Sequence, residues 1–184
     1  MRIRHAAVTD AAGIAKVHVD SWRTTYEGLV PADFLAAMSY EVYENRWRYR
    51  LQNKAVRYAM FVAEEADGRI VGFADGGPER TGDAEFRGEL YALYLLKTSQ
   101  RKGIGTQLFH AIAAHLIAQG YGSMLIWVLK ANPSRSFYEA LGGVKRREAT
   151  IEVGGSMVEE AGYGWSDLNG WMSGHAARLR TDDV

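Results

Sequence analysis

The chain has 184 residues, 22 Lys and Arg against 22 Asp and Glu, 47% hydrophobic and 24% charged residues, and no cysteine. These values exclude a disordered, collagen-like or coiled-coil chain, and a protein of this mass exposes roughly 8,900 Å² folded against roughly 30,000 Å² unfolded, enough for one sizeable core. Balanced charge removes the main electrostatic argument for nucleic acid, and the lack of cysteine excludes disulfides, thiolate metal sites and a cysteine nucleophile.

Met1 to Asp10 lacks the apolar run of a signal peptide. No stretch approaches about 18 apolar residues, so a cytoplasmic protein without a membrane span is expected. In chain order, Ile3 lies in a short strand. Thr9 and Asp10 are placed to cap a helix over Ala11–Thr25, with Ile14, Val17 and Trp22 on its apolar side. Gly28 breaks it, and Pro31 opens a helical piece carrying Phe34, Leu35 and Met38. A third piece covers Tyr40–Gln52. The period then changes to two: strands over Tyr58–Glu65 and Arg69–Asp75 flank the hairpin signal Asp67-Gly68, and Gly76, Gly77 and Pro78 stop the second. A polar loop follows over Thr81–Arg87. Glu89–Leu96 is too apolar for a surface strand, Gly103–Gln119 has helical spacing, and Met124–Leu129 is a buried strand. Asn132-Pro133 caps a short helix that ends at Gly142-Gly143. Two strands, Val144–Val153 and Met157–Trp165, turn at Gly154-Gly155. The rest, from Asp167, reads as a loosely ordered tail with Trp171 as its one anchor.

The order of the main elements is then β-α-α-β-β-β-α-β-α-β-β, an α/β (α+β) chain with one parallel strand pair in an otherwise antiparallel sheet. The expected division is a single domain over 1–166 and a C-terminal tail over 167–184.

The chemistry concentrates in Gln100-Arg101-Lys102-Gly103-Ile104-Gly105-Thr106, between an apolar strand and an amphipathic helix. Glycines at a helix start let the backbone approach an anion, and the N–H groups of the first turn have no helical partner. Arg101 and Lys102 add positive charge. The segment therefore reads as a pyrophosphate cradle. A Walker A loop is absent, and a dinucleotide fingerprint would need Gly or Ala where Leu108 stands.

Gln100-x-x-Gly103-x-Gly105 in this setting resembles the acyl-coenzyme A signature of the GNAT N-acetyltransferase superfamily. Asn132-Pro133-Ser134-Arg135-Ser136-Phe137-Tyr138 and Ser21-Trp22-Arg23-x-x-Tyr26-x-Gly28 are similar to further segments of that family, and the element order matches from about Ile3 to Trp165. The resemblance implies a twisted, mostly antiparallel sheet of about seven strands flanked by helices. It implies transfer of an acetyl group from acetyl-CoA to a primary amine of a small molecule, and a homodimer. It places backbone groups of Gln100 to Thr106 on the pyrophosphate, and the pantetheine arm beside the strand Leu93, Tyr94, Leu95, with the Leu93 N–H on the acetyl oxygen. It makes Tyr138 the general acid toward the departing thiolate and puts Asn132 near the cofactor arm. It assigns Trp22 and Tyr26 to the acceptor pocket, and Tyr91, on the face of Glu89, is placed to reach the acceptor too.

Glu89 is the candidate general base. It opens the apolar strand four residues before Leu93, so period two puts both side chains on one face, and burial should raise its pKa. The distance of roughly 13 Å to Leu93 favours a water relay. Ordinary core packing remains the alternative for Trp22, Leu93 and Leu95, and a solvated strand-end carboxylate for Glu89. No histidine pair has metal-binding spacing, so no metal is expected. A protein acetyltransferase, another acyl transferase, and a non-catalytic CoA-binding regulatory module are the rival functions.

Overall fold

The computed structural model describes residues 1–55 and 57–181, with side chains described up to residue 174. The strands are β1 (Arg2–His5), β2 (Ala59–Glu64), β3 (Ile70–Pro78), β4 (Gly88–Leu95), β5 (Met124–Leu129), β6 (Val144–Val153) and β7 (Ser156–Trp165). They form one sheet in the order β1-β2-β3-β4-β5-β7-β6, antiparallel throughout except for β4 beside β5. The helices are α1 (Ala11–Thr25), α2 (Ala32–Ala37), α3 (Tyr40–Gln52), α4 (Ile104–Ala118), α5 (Arg135–Ala140) and α6 (Leu168–Thr181).

Two apolar layers hold the sheet. On one face, Ile14 and Val17 of α1 and Trp47 and Leu51 of α3 pack on Met60, Val62 and Phe73. On the other, Leu108, Ile112 and Leu116 of α4, spaced four apart on one side of the helix, pack on Val71, Ala74 and Leu90. Each such side chain is fully or nearly fully buried, and each Val, Leu, Ile, Met or Phe among them stabilises the fold by about 1.5–3 kcal/mol. No helix among the described residues is long and apolar enough to cross a membrane.

The sequence reading of the elements holds with four local differences. First, the three helical pieces read before β2 are three separate helices, one more than the order β-α-α-β counted, and Ser39 caps α3 by accepting from the Val42 N–H. Second, the Asp10 carboxylate does not cap α1. It accepts from the Ala7 N–H at 2.8 Å and from both terminal nitrogens of Arg4, which also reaches Glu64 and so ties β1 to β2. Third, β3 does not stop at Asp75. It runs through Gly76 and Gly77 to Pro78, opposite Leu90, Glu89 and Gly88. Glycine serves here because a Cβ at Gly76 would stand 2.7 Å from the Glu89 carbonyl oxygen. Fourth, the segment expected to be a loose tail is helical as α6. Leu168 is fully buried, and Trp171 lies edge-on to Phe109 at 5.0 Å and donates from its indole N–H to the Leu141 carbonyl. The last part of the expected tail, 182–184, lies outside the described residues.

Candidate active site

β4 and β5 are partners only at their first residues, Gly88 opposite Met124 and Glu89 opposite Leu125. Beyond that the two strands part. The opening is a cleft of about 470 Å³, reached by α1, the start of α4 and α5.

The β4 edge of this cleft is irregular. Its pairing with β3 sets Leu90 opposite Gly76 and Ala92 opposite Asp75, so Tyr91 is the extra residue of a β-bulge. Downstream, the Leu96 N–H donates to the Val71 carbonyl at 2.9 Å. Alternation along an antiparallel strand then turns the main-chain groups of Leu93 and Leu95 to the other edge, where β5 has already diverged. The Leu95 carbonyl accepts there from Ser21 Oγ at 3.1 Å and from Gln100 Nε2 at 3.4 Å. Among the described residues no strand lies beside the main chain of Leu93 on this edge.

The cradle sits at the far end of this edge. Arg101 and Gly103 both have positive φ, 61° and 74°, and they turn the chain into α4. The first hydrogen bond of α4 runs from the Gln107 N–H to the Gly103 carbonyl at 3.1 Å. The N–H groups of Ile104, Gly105 and Thr106 are therefore without helical partners. The two glycines serve different ends. Gly103 is open, with no atom within 4 Å of a Cβ built there, and its left-handed φ favours glycine. Gly105 is buried, and its Cβ would meet Phe137 at 3.2 Å and Leu95 at 3.3 Å, so glycine there lets β4, α4 and α5 converge. Arg101 and Lys102 are exposed, and neither takes part in an ion pair among the described residues.

Hydroxyls and indoles crowd the middle of the cleft. The side chains of Tyr26, Tyr94 and Asn132 come together here, and the Trp22 indole N–H has no hydrogen-bond partner among the described residues. Asn132 is 4% exposed, and its Oδ1 accepts from the Ser134 N–H at 2.8 Å, so it stiffens the approach to α5 from two residues before the helix cap, Ser134. Tyr138 is buried against the α4 layer and also lines the cleft; burial holds its phenol, like those of Tyr26 and Tyr94, above the ordinary range.

The structure thus brings Tyr26, Tyr91, Leu93, Tyr94, Leu95, Gln100, Arg101, Gly103, Gly105, Thr106, Asn132 and Tyr138 onto one cleft. Trp22 stands one ring behind it, 4.5 Å from Tyr26. Lys102 and Ile104 do not line it; Ile104 belongs to the α4 core.

Glu89 is placed otherwise than period two predicts. The bulge at Tyr91 breaks the alternation. Glu89 pairs opposite Gly77 and shares the face of Asp75, whereas Leu93 pairs opposite Ala74 on the α4 face. Glu89 is 1% exposed and does not line the cleft. Both of its oxygens are taken by Arg80, through Nε at 3.0 Å and through Nη2, and the Arg80 N–H adds a contact at 3.2 Å. The Arg80 guanidinium in turn lies 4.2 Å over the ring of Tyr91, whose hydroxyl donates to the Pro78 carbonyl at 2.5 Å.

Arg80 and two groups beside its pair with Glu89, Asp75 and Arg50, escaped the sequence reading. Asp75 is fully buried. Its Oδ2 accepts from the Tyr58 hydroxyl at 3.0 Å and lies 3.3 Å from Arg50, and its Oδ1 has no partner. Burial outweighs those contacts and raises its pKa to about 6. Arg50 stacks on Tyr58 and Tyr91. Nothing in the local sequence marks Asp75, Arg50 or Arg80, because their meaning comes from the sheet register and a loop crossing.

A splayed strand pair next to an anion cradle at a helix start is the architecture of an acyl transferase with a long, phosphate-bearing donor. The sequence comparisons agree. The profile of the FR47-like protein family matches residues 82–151. The uncharacterized N-acetyltransferase YuaI of Bacillus subtilis is 41% identical over 91% of this chain and 94% of its own length. Phosphinothricin N-acetyltransferase of Streptomyces viridochromogenes is 30% identical over 68% of this chain and 66% of its own. In three dimensions, a GNAT superfamily phosphinothricin acetyltransferase from Sinorhizobium meliloti, solved with acetyl-CoA, superposes with a TM-score of 0.66 at 21% identity, over 89% of this chain and 86% of that one. The chain belongs to the GNAT family of N-acetyltransferases.

Proposed function

We propose that this protein is a cytoplasmic N-acetyltransferase that passes the acetyl group of acetyl-CoA directly to a primary amine of a small molecule. The observation that carries the reading is the free main-chain edge of β4 leading into the partnerless N–H groups at the start of α4. The site fits the donor: three unpaired N–H groups and two free cations suit a diphosphate, and an unpaired strand edge suits an amide-bearing arm. Relatives named for phosphinothricin support a small acceptor. A second copy of the chain would complete a homodimer, and exposed Val144 and Met157 on β6 and β7 offer apolar surface for it.

Bound there, acetyl-CoA supplies an activated thioester carbonyl. The residues do the rest. Ile104, Gly105 and Thr106 hold the phosphates by N–H donation, and Arg101 and Lys102 add charge. The Leu93 N–H points into the gap between β4 and β5, where a donor can stabilise charge growing on the carbonyl oxygen. Tyr138 carries its proton at neutral pH, as any phenol does, and would give it to the departing sulfur; burial, which raises its pKa, makes it a weaker acid. Glu89, with both oxygens on Arg80, positions that guanidinium over Tyr91 and so shapes the acceptor side.

Two measurements test this. Calorimetric titration should show acetyl-CoA binding by the wild type and its loss in Gly103→Glu, which places a carboxylate at the cradle's open glycine; equal binding by the two proteins would remove the cradle. Tyr138→Phe should lower kcat by about 10²-fold or more with little change in the acetyl-CoA Kd. A change confined to KM would make Tyr138 a packing residue.

A further inference from the structure

Met124–Leu129 reads in the sequence as a buried strand, yet one of its residues is left uncovered. Trp127 is partly exposed and lines the cleft. Its neighbours Ile126 and Val128 lie in the α4 layer, and Leu129 packs with Val19 of α1 and with Tyr26. Side chains two apart on a strand share a face, so the Trp127 ring stands on the α1 side with Leu129. Its main chain faces the gap. The Lys130 N–H donates to the Glu159 carbonyl at 2.9 Å, and alternation from there turns Trp127 away from β7, toward the side that β4 has left.

A ring on a sheet is ordinarily flanked by its cross-strand neighbours. Trp127 has neither. Opposite it on β7 stands Gly162, which has no side chain, and the ladder to β4 ends two residues earlier, at Leu125 opposite Glu89. The ring stacks on no ring or cation and makes no hydrogen bond among the described residues, and it lies outside the three apolar clusters. Two more rings bound the same space from other elements. Tyr26 lines the cleft at the end of α1, and Tyr91 lines it from β4. Tyr91 lies on the α3 side, 6.2 Å from Tyr58 between ring centroids, with its hydroxyl tied to the Pro78 carbonyl. Of the described residues that line the cleft, only Arg101 is charged, and it belongs to the cradle. A carboxylate, a phosphate or a second ammonium on the acceptor would lose water here and meet no counter-charge. A large uncovered ring in a slot without charge favours a flat apolar body.

We infer that Trp127 receives the acceptor: its ring stacks on the body of a primary monoamine, aromatic or otherwise flat and apolar, that carries no second charged group. The proposal rests on the N-acetyltransferase reading above and names, within it, the residue that selects the acceptor and the class of acceptor. The donor belongs to the Leu93–Leu95 edge and to the start of α4, so Trp127 contributes to acceptor affinity and not to donor affinity.

The test separates the two ligands. The protein saturated with CoA is titrated calorimetrically with 2-phenylethylamine, and acetyl-CoA affinity is measured in parallel. Trp127→Leu keeps an apolar side chain on the strand and removes the ring, whereas Trp127→Phe keeps a ring. The Leu variant should bind the amine roughly five- to tenfold more weakly than the wild type, the Phe variant within about threefold of it, and all three proteins should bind acetyl-CoA alike. In thiol-release assays the Leu variant should raise the KM for the amine by the same factor with kcat little changed. The wild type should favour 2-phenylethylamine over spermidine and over phosphinothricin by about tenfold or more in kcat/KM. Equal amine affinity in wild type and Trp127→Leu, no binding of the amine by the CoA-loaded wild type, a matching loss of acetyl-CoA affinity, or a preference for spermidine or phosphinothricin would overturn the proposal. Failure of the wild type to bind acetyl-CoA would instead overturn the N-acetyltransferase reading itself.

Discussion

Replacing Leu93 by proline is expected to lower kcat by roughly 10²- to 10³-fold in a protein that still folds. The reasoning is geometric. Proline removes the main-chain N–H, and in most strands that breaks the ladder. At Leu93 it does not, because the pairing with β3 uses Tyr94 and Leu96 while the Leu93 N–H points to the edge that β5 has left. The preceding Ala92 is already extended in β4, the conformation that a following proline favours. The substitution therefore deletes one donor at the point where the proposed reaction builds negative charge. Leu93→Ala is the control, since it removes the side chain that packs toward α4 and keeps the N–H. Rapid-quench or steady-state turnover of the two variants decides the matter: if Leu93→Pro turns over like Leu93→Ala, the main-chain donor has no part in the chemistry.

Acid should loosen this protein through one histidine. His18 on α1 is ringed by Tyr43 at 4.4 Å, Tyr94 at 5.1 Å, Trp47 at 5.6 Å, Trp22 at 5.9 Å and Phe73 at 6.2 Å, and its Nδ1 has no partner. Burial, reinforced by the nearby Arg46 charge, lowers its pKa to about 4. In the unfolded chain the ring titrates near about 6.5, so between those values the unfolded state holds a proton that the folded state refuses. Stability is then fully present above pH about 6.5 and falls by about 1.4 kcal/mol per pH unit on acidification, about 3 kcal/mol in all by pH 4. His18→Phe keeps a ring in the cage and removes the titration. Urea denaturation at pH 7 and pH 4.5 should show the wild type losing about 2.5 kcal/mol more than the variant over that interval. Equal losses would mean that the folded protein accommodates the imidazolium. Because Tyr94 belongs both to this cage and to the cleft, and Trp22 of the cage stands directly behind Tyr26, the same acidification should disturb the acceptor wall before the protein unfolds.

How much of this was legible in the sequence depends on the range of the interaction involved. β5 and β6 fall on the residues their patterns predict, since each is a compact apolar or alternating run bounded by turn residues. The cradle was legible because its glycines, cations and helix start are contiguous. The end of β3 was misread because Gly76-Gly77-Pro78 looks like a stop; in the sheet it pairs with the start of β4, where small residues let the backbone of β4 and Ile112 of α4 come close. The face of Glu89 was misjudged for a related reason. Strict alternation fails at a bulge, and nothing in Glu-Leu-Tyr-Ala-Leu announces one. Arg50 and Asp75 lie on a helix and a strand well apart in the chain and meet only through the packing of α3 on the sheet, so no local pattern could join them. The helical end of the chain was hidden by Gly170 and Gly174, which lower helix propensity without preventing Leu168 and Trp171 from docking on α4.

The parting of β4 from β5 also bears on when the chain is whole. A sheet interrupted at its centre leaves backbone donors and acceptors waiting for a guest, and a guest that fills the gap binds the native state and not the unfolded chain. Mass action then adds stability, about 2.7 kcal/mol when free donor stands at a hundred times its dissociation constant. The proposed substrate would thus serve as the missing structural member of the sheet, so that the lifetime of the protein in the cell would follow the supply of the metabolite it consumes.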